Sequence, residues 1–359
     1  MSKILSLNME VAGCPTSCMH CWARGRRYEA MPSTDVAWVL EAAHRFCSEA
    51  GLSLSAVLMH EVLAHPEASE VLKRFKPFAS DEDGFEPIPT TGVPLAIRED
   101  WRDLLATART LGTNTFWFAF HGIGETHDRV VNRVGAFRET GTAVERVRAM
   151  GFRSGCNVFL TKENVEQFDD LLPILQNIGI QQTSWGPATY YPTARLRRYE
   201  PLRPELDDLL PLVDRVSSTS SPFFHRDRWE HLEARTEATY CDKALQDSEE
   251  HDQGWSSFVR PNYINLVCRS NLDLHSGNAG LYGPLHGNLK TDGAEQVFEK
   301  ALDGGSISEE SLYFSTSTIP SIYELAQEFG DTRGQKIYFH PASMRYRWLD
   351  LALAEYRRY

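Results

Sequence analysis

Short runs rich in β-branched and aromatic residues alternate with segments of helical period over the first ~215 residues, and that alternation points to a parallel α/β architecture. Lys3 to Met9 reads as a first strand. Ser33 or Thr34 caps a helix whose apolar face is Val36, Val39, Leu40, Ala43, Phe46 and Cys47, and Gly51 ends it. Further strands are expected at Leu52–Met59, near Ile88–Gly92, at Thr113–Phe120, at Cys156–Leu160 and at Ile178–Ser184. Asn164 with Gln167 three residues on reads as a capping box opening a helix that buries Val165, Phe168, Leu171, Leu172 and Leu175. Another helix begins near Pro204.

Beyond Ser217 the rhythm changes. Residues 218–256 are polar, with Ser-Ser-Thr-Ser-Ser and a cluster of Asp247, Glu249, Glu250 and Asp252, and read as a linker or mobile loop. Phe258–Leu274 is expected to be β-rich, Gly277–Gly287 turn-rich and Glu295–Leu302 helical. The expected organisation is therefore a barrel-like unit over 1–217, the connecting stretch 218–256 and an extension over 257–359. With 359 residues, 42% of them hydrophobic, the chain can bury a large core. Its formal charge of −12 argues against nonspecific affinity for nucleic-acid backbone or anionic membrane. No run approaches the ~18 apolar residues of a membrane span. The opening MSKILSLNMEVAG has too broken an apolar run for a secretory signal, so a reducing, cytoplasmic setting is expected.

Three of the seven cysteines fall within CPTSCMHCW: Cys14, Cys18 and Cys21, spaced C-x3-C-x2-C directly after the first strand. An odd trio this close does not pair off as disulfides, and crowded thiolates usually share a metal. A structural zinc site normally takes four protein ligands. Here no fourth cysteine is near, although His20 is available. A four-iron, four-sulfur cube held by three thiolates would leave one iron open to an outside ligand.

The loop resembles the signature of the radical S-adenosylmethionine (SAM) superfamily, with His20 in the place usually held by an aromatic residue before the last cysteine. The resemblance implies a partial (β/α)6 barrel with a smaller α+β extension. It also implies a [4Fe–4S] cluster on Cys14, Cys18 and Cys21, with SAM chelating the open iron. One-electron reduction, from a flavodoxin- or ferredoxin-type donor, would cleave SAM to methionine and a 5′-deoxyadenosyl radical. Met59–His60–Glu61–Val62–Leu63–Ala64–His65–Pro66 is similar to the Gly-Gly-Glu-Pro…His-Pro segment at the end of the family's second strand. Glu61 then stands where the SAM ammonium binds, while His60 replaces a glycine. The same stretch is no H-E-x-x-H zinc site, since His60 and His65 are five apart and lie roughly 140° around a helix from each other.

FHGIGETHDR, residues 120–129, resembles the family's Leu-Asp-Gly…His-Asp segment, which places His121 toward the SAM or substrate pocket; a core or capping histidine is the plainer reading. Asn157 and Thr161 at the fifth strand, and Ser184 and Trp185 at the sixth, are pocket candidates because barrel sites gather at carboxyl strand ends. Residues 272–302 resemble, more weakly, a SPASM or twitch extension, but Cys241 and Cys268 are too few for an ordinary auxiliary cube. Either cysteine could instead give a hydrogen atom to a substrate radical, as in radical epimerases. Cys47 and Cys156 read as core.

The expected activity is hydrogen abstraction from a C–H bond of a small metabolite: an amino acid, sugar or nucleoside in natural-product biosynthesis. The cysteine loop starts at residue 14, with no peptide-binding domain ahead of it in this sequence, which favours a metabolite over a peptide. Modification of a ribosomally made peptide is the alternative, and a non-catalytic Fe–S or zinc protein is the reading from another class.

Overall fold

The computed structural model describes residues 3–21, 29–59, 61–79, 86–188, 198–213, 215, 236, 239, 263–278, 281–303 and 336. His60, Cys241 and nearly all of the expected connecting stretch 218–256 lie outside the described residues, as does most of 304–359.

Strand and helix alternate as the periodicity demands: β1 Ile4–Glu10, α1 Ser33–Ala50, β2 Ser53–Met59, α2 Ala68–Phe75, β3 Ile88–Pro89, α3 Val93–Ile97 and α4 Trp101–Thr110. Then follow β4 Thr115–Phe120, α5 Glu125–Val131, α6 Ala136–Ala149, β5 Arg153–Phe159, α7 Phe168–Ile178 and β6 Gln182–Gly186. β1 and β2 pair in parallel, and so do β3 through β6 in order, but the two sets belong to separate sheets. The result is a barrel of six parallel strands that does not close. Period-two burial sets its faces. Leu5, Leu7 and Met9 of β1, and Phe116, Phe118 and Phe120 of β4, share one hydrophobic core with the inward face of α1, namely Val36, Val39, Leu40, Ala43 and Cys47. The intervening residues, such as Ala119 and Asn157, look into the barrel.

The chain then returns to its beginning. β7 Tyr263–Cys268 runs parallel to β1 on the edge away from β2, with Met9 opposite Cys268. β8 Asp273–Asn278 and β9 Leu281–Asn288 add antiparallel strands, giving the order β2-β1-β7-β8-β9. α8 Ala294–Asp303 follows, and its Phe298 stacks on Phe46 of α1 with ring centroids 5.2 Å apart. Part of the extension thus shares both a sheet and a core with the barrel.

Four local expectations are corrected. The Asn164–Gln167 capping box does not form: Val165–Gln167 is a 3-10 turn and α7 starts at Phe168. Gln167 is drawn instead to the loop after β4, accepting the Ile123 N–H at 2.8 Å and donating to Thr126 Oγ1 at 2.9 Å. Ile178 ends α7 rather than opening β6. The helix near Pro204 is one turn, Leu206–Leu209. Leu281–Asn288 is a strand despite Gly283, Pro284 and Gly287, because register shifts in its pairing with β8 absorb the breakers.

Candidate cofactor and metal site

β1 delivers the chain straight into the cysteine loop, and backbone bonds fix where the loop goes. The N–H groups of Ser17 and Met19 each donate at 2.9 Å, to the carbonyls of Val131 and Val130 at the end of α5. Between two of the thiols sits the buried Thr16 hydroxyl, 3.1 Å from Cys14 Sγ and 3.4 Å from Cys18 Sγ. Burial, then the negative charge of Glu61, pushes the Cys14 thiol up to about 12; burial raises Cys18 as well, followed by its two thiol neighbours. Such thiols stay protonated unless a cation takes the proton's place, as a metal centre does.

The three cysteines line a cavity of about 260 Å³ at the carboxyl ends of the strands. Glu61, just past β2, lines it too. Its carboxylate accepts the Thr91 N–H at 2.5 Å and the Thr90 hydroxyl at 3.1 Å, and burial still pushes its pKa up to about 7. The Leu63 N–H lowers it too, so the carboxylate is held by donors from both loops around it. The following His65 is a brace: Nδ1 accepts from the Glu67 N–H at 2.9 Å, which leaves Nε2 to donate to the Met31 carbonyl at 2.7 Å.

From the opposite wall come His121, fully buried at the end of β4, and His20 of the cysteine loop, their ring centroids 4.5 Å apart. Both rings stack on Phe159. Among the described residues, neither ring nitrogen of His121 has a hydrogen-bond partner, nor does Nδ1 of His20. Burial depresses both imidazoles, His20 to about 4, and neutral imidazole is the ligand form. The turn after His121 needs Gly122: its φ is +117°, and a Cβ there would meet Gln167 Oε1 at 2.7 Å.

Of the other sequence candidates, Asn157 lines the cavity, in register with Ala119 and Ser184. Thr161 is spent locally on Asn164. Trp185 faces the other way, packs on Phe168 at 4.6 Å and does not line the cavity. Cys268 is fully buried beside Met9 in the hydrophobic core, not at the cavity. Cys47 and Cys156 are core residues. Sequence reading passed over Thr16, Thr90, Thr91 and Phe159, whose side chains shape the site; hydroxyls and single rings have no diagnostic spacing. It also passed over Trp117, which lines the cavity and lies flat on Gly155 of β5, where a Cβ would approach the indole to 2.2 Å. Gly155→Ala should therefore destabilise the fold by about 1–3 kcal/mol in denaturant titration, by overpacking. An unchanged midpoint would show that the indole is free to move.

No family model matches the sequence, and a search of the curated proteins finds none that matches it. Solved structures do match. The structure of anSMEcpe with bound AdoMet is 13% identical, aligns over 99% of this chain and 98% of its own, and has a TM-score of 0.50. Streptococcus suis SuiB bound to precursor peptide SuiA is 15% identical over 85% of this chain and 67% of its own, with a TM-score of 0.49. In two further SuiB structures the matched share of that protein is 60%. Escherichia coli coproporphyrinogen III oxidase (HemN), a radical SAM enzyme, is 13% identical over 98% and 90%, with a TM-score of 0.43. The fold of this chain is that of anSMEcpe, and it is built here as an unclosed parallel barrel carrying a cysteine loop after its first strand.

Proposed function

We propose that this chain is a radical SAM enzyme, and the observation that carries the proposal is one shared cavity. Three cysteines on a loop fixed to α5 meet a buried glutamate there, at the open mouth of the barrel. The residues fit a cube. Cys14 and Cys18 are held apart by the Thr16 hydroxyl, and the three thiols do not converge on a single point as ligands of one ion do. Cys14, Cys18 and Cys21 would hold three irons of a [4Fe–4S] cluster, leaving the fourth for SAM. When bound, the cluster would supply one electron, passed on from a flavodoxin- or ferredoxin-type donor, for cleavage of SAM to methionine and a hydrogen-abstracting 5′-deoxyadenosyl radical. Glu61 would receive the SAM ammonium, Asn157 and His20 line the same cavity, and Phe159 and Trp117 present apolar surface there that would exclude water.

The substrate we infer is a compact metabolite such as an amino acid, sugar or nucleoside, as in natural-product biosynthesis; the cavity of about 260 Å³ is the space that the cluster and SAM would themselves occupy. A reducing cytoplasm is the compartment we infer, since it keeps thiols such as these from oxidising. Anaerobic reconstitution is expected to give about four irons and four sulfides per chain, and reduction with dithionite in the presence of SAM should release 5′-deoxyadenosine. About eight irons, with Cys241 and Cys268 needed for half, would overturn the single cluster. A chain that binds metal but leaves SAM intact would instead be a non-catalytic metal protein.

A further inference from the structure

We propose that Cys18, His20 and His121 form a binding site for one mononuclear transition-metal ion of zinc-like ligand preference, and that this ion and the iron–sulfur cube exclude each other. The exclusion rests on the function proposed above; the site itself does not.

Among the described residues, the only three ligand atoms found within 4.8 Å of one another are the Cys18 sulfur and one ring nitrogen each from His20 and His121. A tetrahedral zinc with Zn–S near 2.3 Å and Zn–N near 2.0 Å sets its ligands about 3.5 Å apart. The trio has to close by only ~1 Å, within reach of a small side-chain rotation. The second observation is the state of the imidazoles. Among the described residues nothing partners either nitrogen of the fully buried His121 or the buried Nδ1 of His20. Buried polar atoms in that condition are costly unless something binds them. His121 is also held ready: its backbone N–H donates to His127 Nδ1, and its ring lies 11° from the plane of Phe159. A preformed ligand gives up little freedom when the ion arrives.

The cysteines alone do not offer this geometry. The Thr16 hydroxyl stands between Cys14 and Cys18. On binding, Cys18 loses its proton to solvent as the Sγ–metal bond forms, the two imidazoles bind neutral, and water takes the fourth position. Cys18 cannot serve both centres at once, so a chain that meets zinc before iron and sulfide is held out of cluster assembly.

The test uses the full chain, stripped of metal under anaerobic conditions and given one equivalent of zinc. X-ray absorption at the zinc edge should show one sulfur at ~2.3 Å and two nitrogens at ~2.0 Å; a shell of three sulfurs overturns the site without any variant. Cobalt(II) titration should give one tetrahedral, thiolate-coordinated ion in the unmodified chain, in Cys14→Ser and in Cys21→Ser. Binding should weaken at least tenfold in Cys18→Ser and in His121→Phe; equal binding in His121→Phe overturns the site. Preloaded zinc should suppress cube assembly in the unmodified chain and not in the double variant His20→Phe/His121→Phe. Full assembly on zinc-loaded, unmodified protein overturns the exclusion. If no cube forms even in the zinc-free chain, the radical SAM reading fails, while the zinc-edge result still decides the mononuclear site.

Discussion

Cys14→Ala, Cys18→Ala and Cys21→Ala should each reduce release of 5′-deoxyadenosine from SAM to background in the reconstituted, reduced protein. Loss of one thiolate frees an iron corner, so the cube is either lost or rebuilt without a defined open site. The expected drop exceeds the ~100-fold that removal of a merely supporting contact around a metal costs. Cys47→Ala is the control, because Cys47 sits on the inward face of α1 in the core and does not line the cysteine-loop cavity. It should lower stability modestly while SAM cleavage persists. A triple alanine variant at 14, 18 and 21 that still makes 5′-deoxyadenosine would falsify the proposed mechanism.

Glu61 carries the second large effect, and two substitutions separate its two roles. Glu61→Ala strips the acceptor from the Thr91 N–H and the Thr90 hydroxyl, and leaving buried donors unsatisfied costs ~1–3 kcal/mol of stability. Glu61→Gln keeps a carbonyl oxygen for those donors and removes only the charge. SAM affinity, measured by equilibrium binding, should fall roughly ten- to a hundred-fold in both variants, since a charge-assisted hydrogen bond is worth ~1.5–3 kcal/mol. If Glu61→Gln binds SAM as tightly as the unmodified chain, Glu61 is only a brace for the turn after β3.

What could be read in advance follows the range of the physics involved. The helix from Ser33 to Gly51, the cysteine loop behind β1, and the strands β2 and β4 are written in local period and local stop signals, and all are found near the expected places. Glu61 and His121 were singled out by resemblance, His20 by its place in the cysteine loop and Asn157 by its strand end, and the structure brings all four around one cavity. Trp185 and Cys268 were misjudged by one step of the pleat: each lies at the carboxyl end of its strand, but on the face turned to the core. Asn164–Gln167 has the spacing of a capping box, yet Gln167 finds a stronger use across the gap to Ile123 and Thr126. The partnership of β7 with β1 was beyond reach, because a strand's period says which face is buried and nothing about which strand lies alongside.

That last pairing has a consequence for how the chain is made. β1 leaves the ribosome well ahead of one of its two neighbours, which lies about 260 residues downstream. At synthesis rates of ~5–20 residues per second, the first strand waits ~15–50 s with one edge unpaired. Those seconds expose a short apolar ribbon, Ile4 to Met9, to whatever edge comes near. The order of translation thus makes β1 the last strand of the barrel to be completed, and a nascent chain halted before Cys268 would hold its cysteine loop beside a half-built sheet.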